Sequence, residues 1–186
     1  MTWVKKIISP LLGLAFMLLH FNAGAQNYLG KSIKMSIFSS TPVEDIRAVS
    51  LKGSAVLVAK TREIVAQVPI KSLEFDRKLM QEHFNENYME SDKYPLARFK
   101  GTLDPGVDFT KDGEYNVTVN GILSVHGVDK QRSITGKIIV KDGILQIQTT
   151  FKVVCADHKI KIPTLIITKV AEVIEVKVDG KLNQIK

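Results

Sequence analysis

The sequence predicts an all-β domain: an antiparallel sheet of about eight strands, closed on itself or folded into two packed sheets, with one short helix covering an end. Two observations predict it. Apolar residues recur at every second position in one segment after another, and at that period alternate side chains of a strand share a face. Against this background a single stretch beyond residue 26 carries the i, i+3, i+4 spacing of an amphipathic helix.

Taken in chain order, residues 1 to 25 read as a secretory signal peptide. Lys5 and Lys6 form a basic start, Ile7 to Phe21 an apolar run, and Ala23-Gly24-Ala25 a small-residue cleavage site, so the mature chain is expected to begin at Gln26. Pro10, Gly13 and His20 interrupt the run and leave it short of the roughly 20 apolar residues of a membrane span. Residues 26 to 186 contain no linker, internal repeat or low-complexity tract, and are expected to form one domain. Cys155 is the only cysteine, so apolar burial and strand pairing must hold this domain together without an intrachain disulfide. A chain with 45% hydrophobic residues supplies that.

The strands follow from parity. Ile33, Met35 and Ile37 share one face against Ser32, Lys34 and Ser36, and Ile64, Ala66, Val68 and Ile70 do the same against Glu63, Val65 and Gln67. The clearest case is Glu114 to Val125. There Tyr115, Val117, Val119, Leu123 and Val125 point to a dry side, and Glu114, Asn116, Thr118, Asn120 and Ser124 to a wet one. Ile134, Ile138 and Val140 continue the pattern, then Leu145, Ile147, Phe151 and Val153, and last Ile174, Val176, Val178 and Leu182. Lys111-Asp112-Gly113 and Lys141-Asp142-Gly143 predict tight hairpin turns, which make neighbouring strands antiparallel. For the helix, Asp76 is the expected cap, and Leu79, Met80, His83 and Phe84 form its apolar side before Pro95 stops anything helical.

Chemistry-bearing residues are few. His83 and His126 stand in no metal-ligand or catalytic spacing and read as structural histidines. Cys155-Ala156-Asp157-His158 places a thiol, a carboxylate and an imidazole together, but adjacent residues at a strand exit cannot easily aim at one carbonyl. Cys155 also continues the inward parity of Phe151 and Val153, which makes it a small buried residue. No catalytic residue, metal site or cofactor motif is expected. Lysine accounts for most of a formal net charge of +7 and is dispersed along solvated faces, so nucleic acid is not an expected partner. A transient contact with a membrane surface stays open, as does the oligomeric state. Lys159 to Pro163 alternates charge with apolar side chains and reads as an edge segment.

Certain landmarks point to one family: Leu79-Met80-Gln81-Glu82-His83-Phe84, then Tyr94-Pro95 and Phe99, then Gly121-Ile122-Leu123-Ser124-Val125-His126-Gly127. With these the chain resembles the YceI-like proteins from about Ile33 to Leu182, most specifically over Leu79 to Phe99 and Leu123 to Val128. The resemblance implies a lipocalin-like barrel, where periodicity alone leaves barrel and sandwich equal. It also implies a periplasmic or secreted location, and sequestration of a long-chain isoprenoid lipid or quinone in an apolar interior. Lys159 to Thr164 would then lie at the barrel mouth. Under that implication the ligand-binding candidates are Val117, Val119 and Leu123 on the long strand, Phe99 and Phe151 on theirs, and Phe84 and Tyr88 at the helix end. Two alternatives stand beside it. One is an enzyme acting on a lipid or small metabolite through His83, His126 or Cys155; the other is an interaction module whose interior is solid core.

Overall fold

A computed structural model describes residues 26–40, 45–162 and 172–185. The strands are β1 (Asn27–Ser40), β2 (Asp45–Val58), β3 (Glu63–Pro69), β4 (Glu74–Phe75), β5 (Leu96–Leu103), β6 (Gly113–Val125), β7 (Val128–Lys141), β8 (Ile144–Val154) and β9 (Val173–Ile185). Eight of them run in the order β1-β9-β8-β7-β6-β5-β3-β2, and β2 pairs back onto β1, so the sheet closes into a barrel. Every pairing is antiparallel. Closure leaves no long edge for another chain to extend, and it turns one face of every strand inward. The two-residue β4 pairs with β2 at Ala48 and Val49 and begins the cover over one end.

The inward parity matches the alternation in the sequence on β1, β3, β6, β7, β8 and β9, with Ile33, Ile64, Val68, Leu123, Ile134, Ile138, Val140, Leu145, Ile147, Val153, Val176 and Leu182 all buried. Strand β2 has no counterpart in the periodicity. Between the inward Ile46 and Leu57 its inward positions Ala48, Ser50, Gly53 and Ala55 are small, whereas Val49, Leu51 and Val56 face outward, so the middle of the strand carries no hydrophobic alternation to read. On β1 the parity changes phase at Ser32, a left-handed residue (φ 61°) where the register against β2 slips. Tyr28 and Ile33 thereby point inward on either side of the bulge.

The turns correct one expectation. Asp142-Gly143 does form a tight turn, with φ of 51° and 74°, between β7 and β8. Lys111-Asp112-Gly113 does not. Residues 104 to 112 form a longer connection whose Val107 and Phe109 are buried in the core, and Gly113 already belongs to β6. The second tight turn is His126-Gly127, with φ of 51° and 69°, between Val125 and Val128. Its glycine is required twice, for the positive φ and because a Cβ there would run into the Tyr94 ring.

The helix α1 spans Lys78–His83 and continues into a π-helical turn over Phe84–Tyr88. Its N-cap is Arg77, with no side-chain cap bond, so Asp76 is not the cap. After β8, Cys155–His158 form a 3-10 turn that ends on Lys159 in a left-handed conformation. Residues Lys159 to Ile162 follow it, while Pro163 and Thr164, like residues 1 to 25 that were expected to form a signal peptide, lie outside the described residues.

Candidate functional site

The barrel interior divides into two halves. In one, Tyr28, Ile33, Ala55, Leu57, Ile64, Leu103, Val107, Phe109, Ile138, Val140, Leu145, Ile147 and Leu182 form a continuous buried cluster. The rings of Tyr28 and Phe109 meet at 6.0 Å inside it, and the Tyr28 hydroxyl donates to the Phe109 carbonyl at 3.4 Å. In the other half, Leu123, Val153 and Val176 form a smaller cluster, and beside it lies a cavity of about 380 Å³.

Seven barrel strands contribute to its wall: Met35, Ile37 and Ser39 from β1, Ile46 from β2, Val68 from β3, Ala97 from β5, Leu123 and Val125 from β6, Phe151 and Val153 from β8, and Ile174 and Val176 from β9. The cover comes from Leu73, Phe75, Leu79, Met80, Phe84, Tyr88 and Met89, and from Ile160 and Ile162 on the facing segment. Among the described residues the polar side chains on the wall are few: Ser39, Arg77, His83, Cys155 and the hydroxyl-bearing Tyr88. An apolar cavity with so few polar side chains has nothing to hold a charged guest in its depth, and suits a hydrocarbon. Among the described residues no group of three or more His, Cys, Asp or Glu is arranged to hold a metal ion.

Of the seven positions expected from the sequence, Phe84, Tyr88, Leu123 and Phe151 come together on this wall. Val117 and Val119 instead pack against the filled half, and Phe99 lies between the halves, touching both clusters. Parity gives the face of a strand but not the depth along the barrel, which is why it could not separate Leu123 from Val119. Sequence reasoning missed Met35, Ile37 and Val176 as wall residues although their inward parity was visible; Ile46 and Met89 carried no periodic signal.

The π-helical turn shapes the cover. The Met89 amide donates to the Phe84 carbonyl at 2.9 Å, and this wider winding carries Phe84, Tyr88 and Met89 all to the cavity. The Phe84 ring meets that of Phe75 at 4.8 Å, tilted by 48°, and Gln81 Oε1 accepts from the Phe75 amide at 3.3 Å, tying helix to β4. Burial raises the Tyr88 hydroxyl above its ordinary pKa.

The histidines hold this cover down. His126 reaches the His158 carbonyl through Nδ1 at 3.0 Å and Glu90 through Nε2 at 2.8 Å, with its ring edge against Tyr94 at 4.7 Å. Both partners are acceptors, so the ring satisfies both only when protonated. It thereby joins the segment after the helix to the turn at 155–158. His158 is fully buried, and its Nδ1 donates to the Val128 carbonyl at 3.1 Å. Burial, the larger effect, pushes its pKa below the ordinary 6.5, against the pull of that carbonyl. Asp157 turns away to Arg132, whose guanidinium lowers its pKa. Cys155 faces the cavity, and burial pushes its thiol up to about 11. A thiol so far from ionised at neutral pH is a poor nucleophile, and the imidazole three residues on is engaged elsewhere. His83, at the mouth, is exposed.

Comparison with known proteins agrees with this architecture. The family model of the YceI-like domain matches residues 32–182. The chain belongs to the YceI-like family. Solved structures similar to this YceI-like chain include a polyisoprenoid binding domain from Saccharophagus degradans implicated in plant cell wall breakdown, at 13% identity and TM-score 0.73, covering 87% of this chain and 99% of that one. BcnA of Burkholderia cenocepacia is similar at 13% identity and TM-score 0.68, with 80% and 95% covered. A YceI protein of Campylobacter jejuni is similar at 19% identity and TM-score 0.54, with 67% and 72% covered. At these identities the likeness is one of fold. Among curated proteins no match was found.

Proposed function

We propose that this YceI-like protein is an extracytoplasmic carrier or store that holds an isoprenoid lipid or quinone by shape and apolar contact, without altering it. The observation that carries this is the cavity of about 380 Å³ under the helix, walled almost wholly by aliphatic and aromatic side chains in a barrel whose other half is solid. Kinship of fold with a polyisoprenoid binding domain supports the choice of guest. The tail would lie against Leu123, Phe151, Val176 and Met35, and the polar end would leave past Arg77 and His83 at the helix edge. Among the described residues nothing on the wall combines a nucleophile with a base, which supports binding over catalysis: the thiol of Cys155 is protonated, and His126 and His158 hold backbone carbonyls. Location outside the cytoplasm rests on the signal-like segment 1 to 25. A guest of this kind is exchanged with a bilayer, and Leu79, 61% exposed on the helix at the mouth, is suited to transient contact there.

Mass spectrometry of lipid extracted from protein purified without denaturation tests the proposal. An isoprenoid or quinone is expected at substantial occupancy in the parent and is expected to be lost in Leu123→Trp, which fills the cavity. Absence of lipid from the parent, with no uptake of added prenyl alcohol, would refute it. Conversion of a bound lipid that stops in His83→Gln, His126→Gln or Cys155→Ser, with binding intact, would move the protein to the enzymes.

A further inference from the structure

We propose that the packed half of the barrel is a length stop, and that the cavity accepts prenyl chains of about three isoprene units. This rests on the lipid-binding function proposed above and specifies its guest. A cavity of about 150 Å³ accommodates one benzene, or about 25 Å³ for each carbon. On that scale 380 Å³ takes a chain of about fifteen carbons.

The stop lies at a definite level on each strand. On β6 the wall residues Val125 and Leu123 give way to Val119 and Val117, which belong to the filled half; on β8, Val153 and Phe151 give way to Ile147 and Leu145. On β9, Ile174 and Val176 give way to Leu182, and on β1, Met35 gives way to Ile33. Phe99 and Val178 touch both clusters and form the boundary itself. Ile33 is seated where no side chain competes with it: a Cβ at Gly30 would stand 2.7 Å from its Cδ1, and one at Gly180 closer still. Interiors packed to this degree do not yield to an extra carbon without displacing neighbours. At the opposite end the chain leaves past Arg77 and His83 into water, where a further unit buries little surface. Affinity therefore rises with chain length until the cavity is full and then levels off.

Native mass spectrometry of the exported protein in pairwise competition among geraniol, farnesol, geranylgeraniol and solanesol tests this. Farnesol is expected to outcompete geraniol by about tenfold or more, since an added isoprene unit is buried, whereas solanesol should stay within about twofold of geranylgeraniol. Phe99→Ala opens the boundary and should raise the preference for geranylgeraniol over farnesol by about tenfold; Phe99→Leu, gentler on folding, should raise it less, and Phe151→Trp should move the preference toward geraniol. Solanesol bound about tenfold more tightly than farnesol by the parent would overturn the length stop and leave lipid binding intact. So would folded Phe99 variants with an unchanged preference. Failure of all four alcohols to bind would overturn the lipid-binding function and the length stop with it.

Discussion

The two halves of the barrel are built from the same strands with the same alternation, yet one is solid and the other hollow. On β6 the inward row runs Tyr115, Val117, Val119, Gly121, Leu123, Val125, with apolar side chains on both sides of its one glycine, and the core begins and ends within it. What differs is what stands across from each residue. Val119 packs against the filled cluster that holds Leu103, Ile33 and the Tyr28–Phe109 pair. Opposite Leu123 the interior holds space, because the far wall there is capped by a helix lying over the opening instead of a loop tucked into it. Phe109 is the counterpart: its connection folds inward and fills its end, whereas α1 spans its own. An apolar face thus becomes core or cavity according to which connection plugs it.

Truncation should separate the halves most strongly. Leu145→Ala, in the filled half and fully buried, is expected to cost about 2–5 kcal/mol in a denaturant melt. Leu123→Ala, beside existing space, should cost less than half as much, because fewer neighbours lose a partner. Equal costs would mean that the hollow half is as tightly packed as the other. Enlargement should reverse the contrast. Val119→Trp overpacks and is expected to cost about 1–3 kcal/mol or more, while Leu123→Trp should change the melting temperature little and displace bound lipid. Strong destabilisation by both, with lipid retained, would break the comparison.

A pH effect should mark the cover over the hollow half. His158 has a native pKa below the 6.5 of the unfolded chain, so the unfolded state binds more protons as pH falls through that range. Stability from the neutral buried ring is therefore complete above about 6.5 and is lost as pH drops toward the native value. His158→Asn keeps a donor for the Val128 carbonyl and should flatten this acid limb of a Tm-against-pH curve, at some loss of stability throughout. An unchanged limb would assign it to other groups. The smallest effect is expected at Thr118→Trp, outward between Val117 and Val119: within about 0.5 kcal/mol of the parent and with lipid content unchanged.

Much of this molecule was legible in the chain. The alternation on β1, β3, β6, β7, β8 and β9 reflects burial on one side only, and Asp142-Gly143 carries the φ values that a tight turn demands. Strand β2 was not legible, because its inward residues from Ala48 to Ala55 are small while Val49, Leu51 and Val56 face outward, which leaves no hydrophobic period. Lys111-Asp112-Gly113 misled for a related reason: the same dipeptide that closes one hairpin here opens a strand after a connection anchored by Val107 and Phe109.

By itself the sequence determined which face of most strands is dry, that neighbours run antiparallel, that one short helix interrupts them, and which family the landmarks match. These follow from local spacing, which one chain carries in full. Only the tertiary structure decided where the dry interior is filled and where it is open. It placed Leu123 and Phe151 on the cavity wall with Phe84 and Tyr88, set Val117 and Val119 against the filled core, and left Phe99 on the boundary between them. The physical reason is that a cavity is a property of the distance between opposing surfaces, and no alternation within a strand records what stands on the far side.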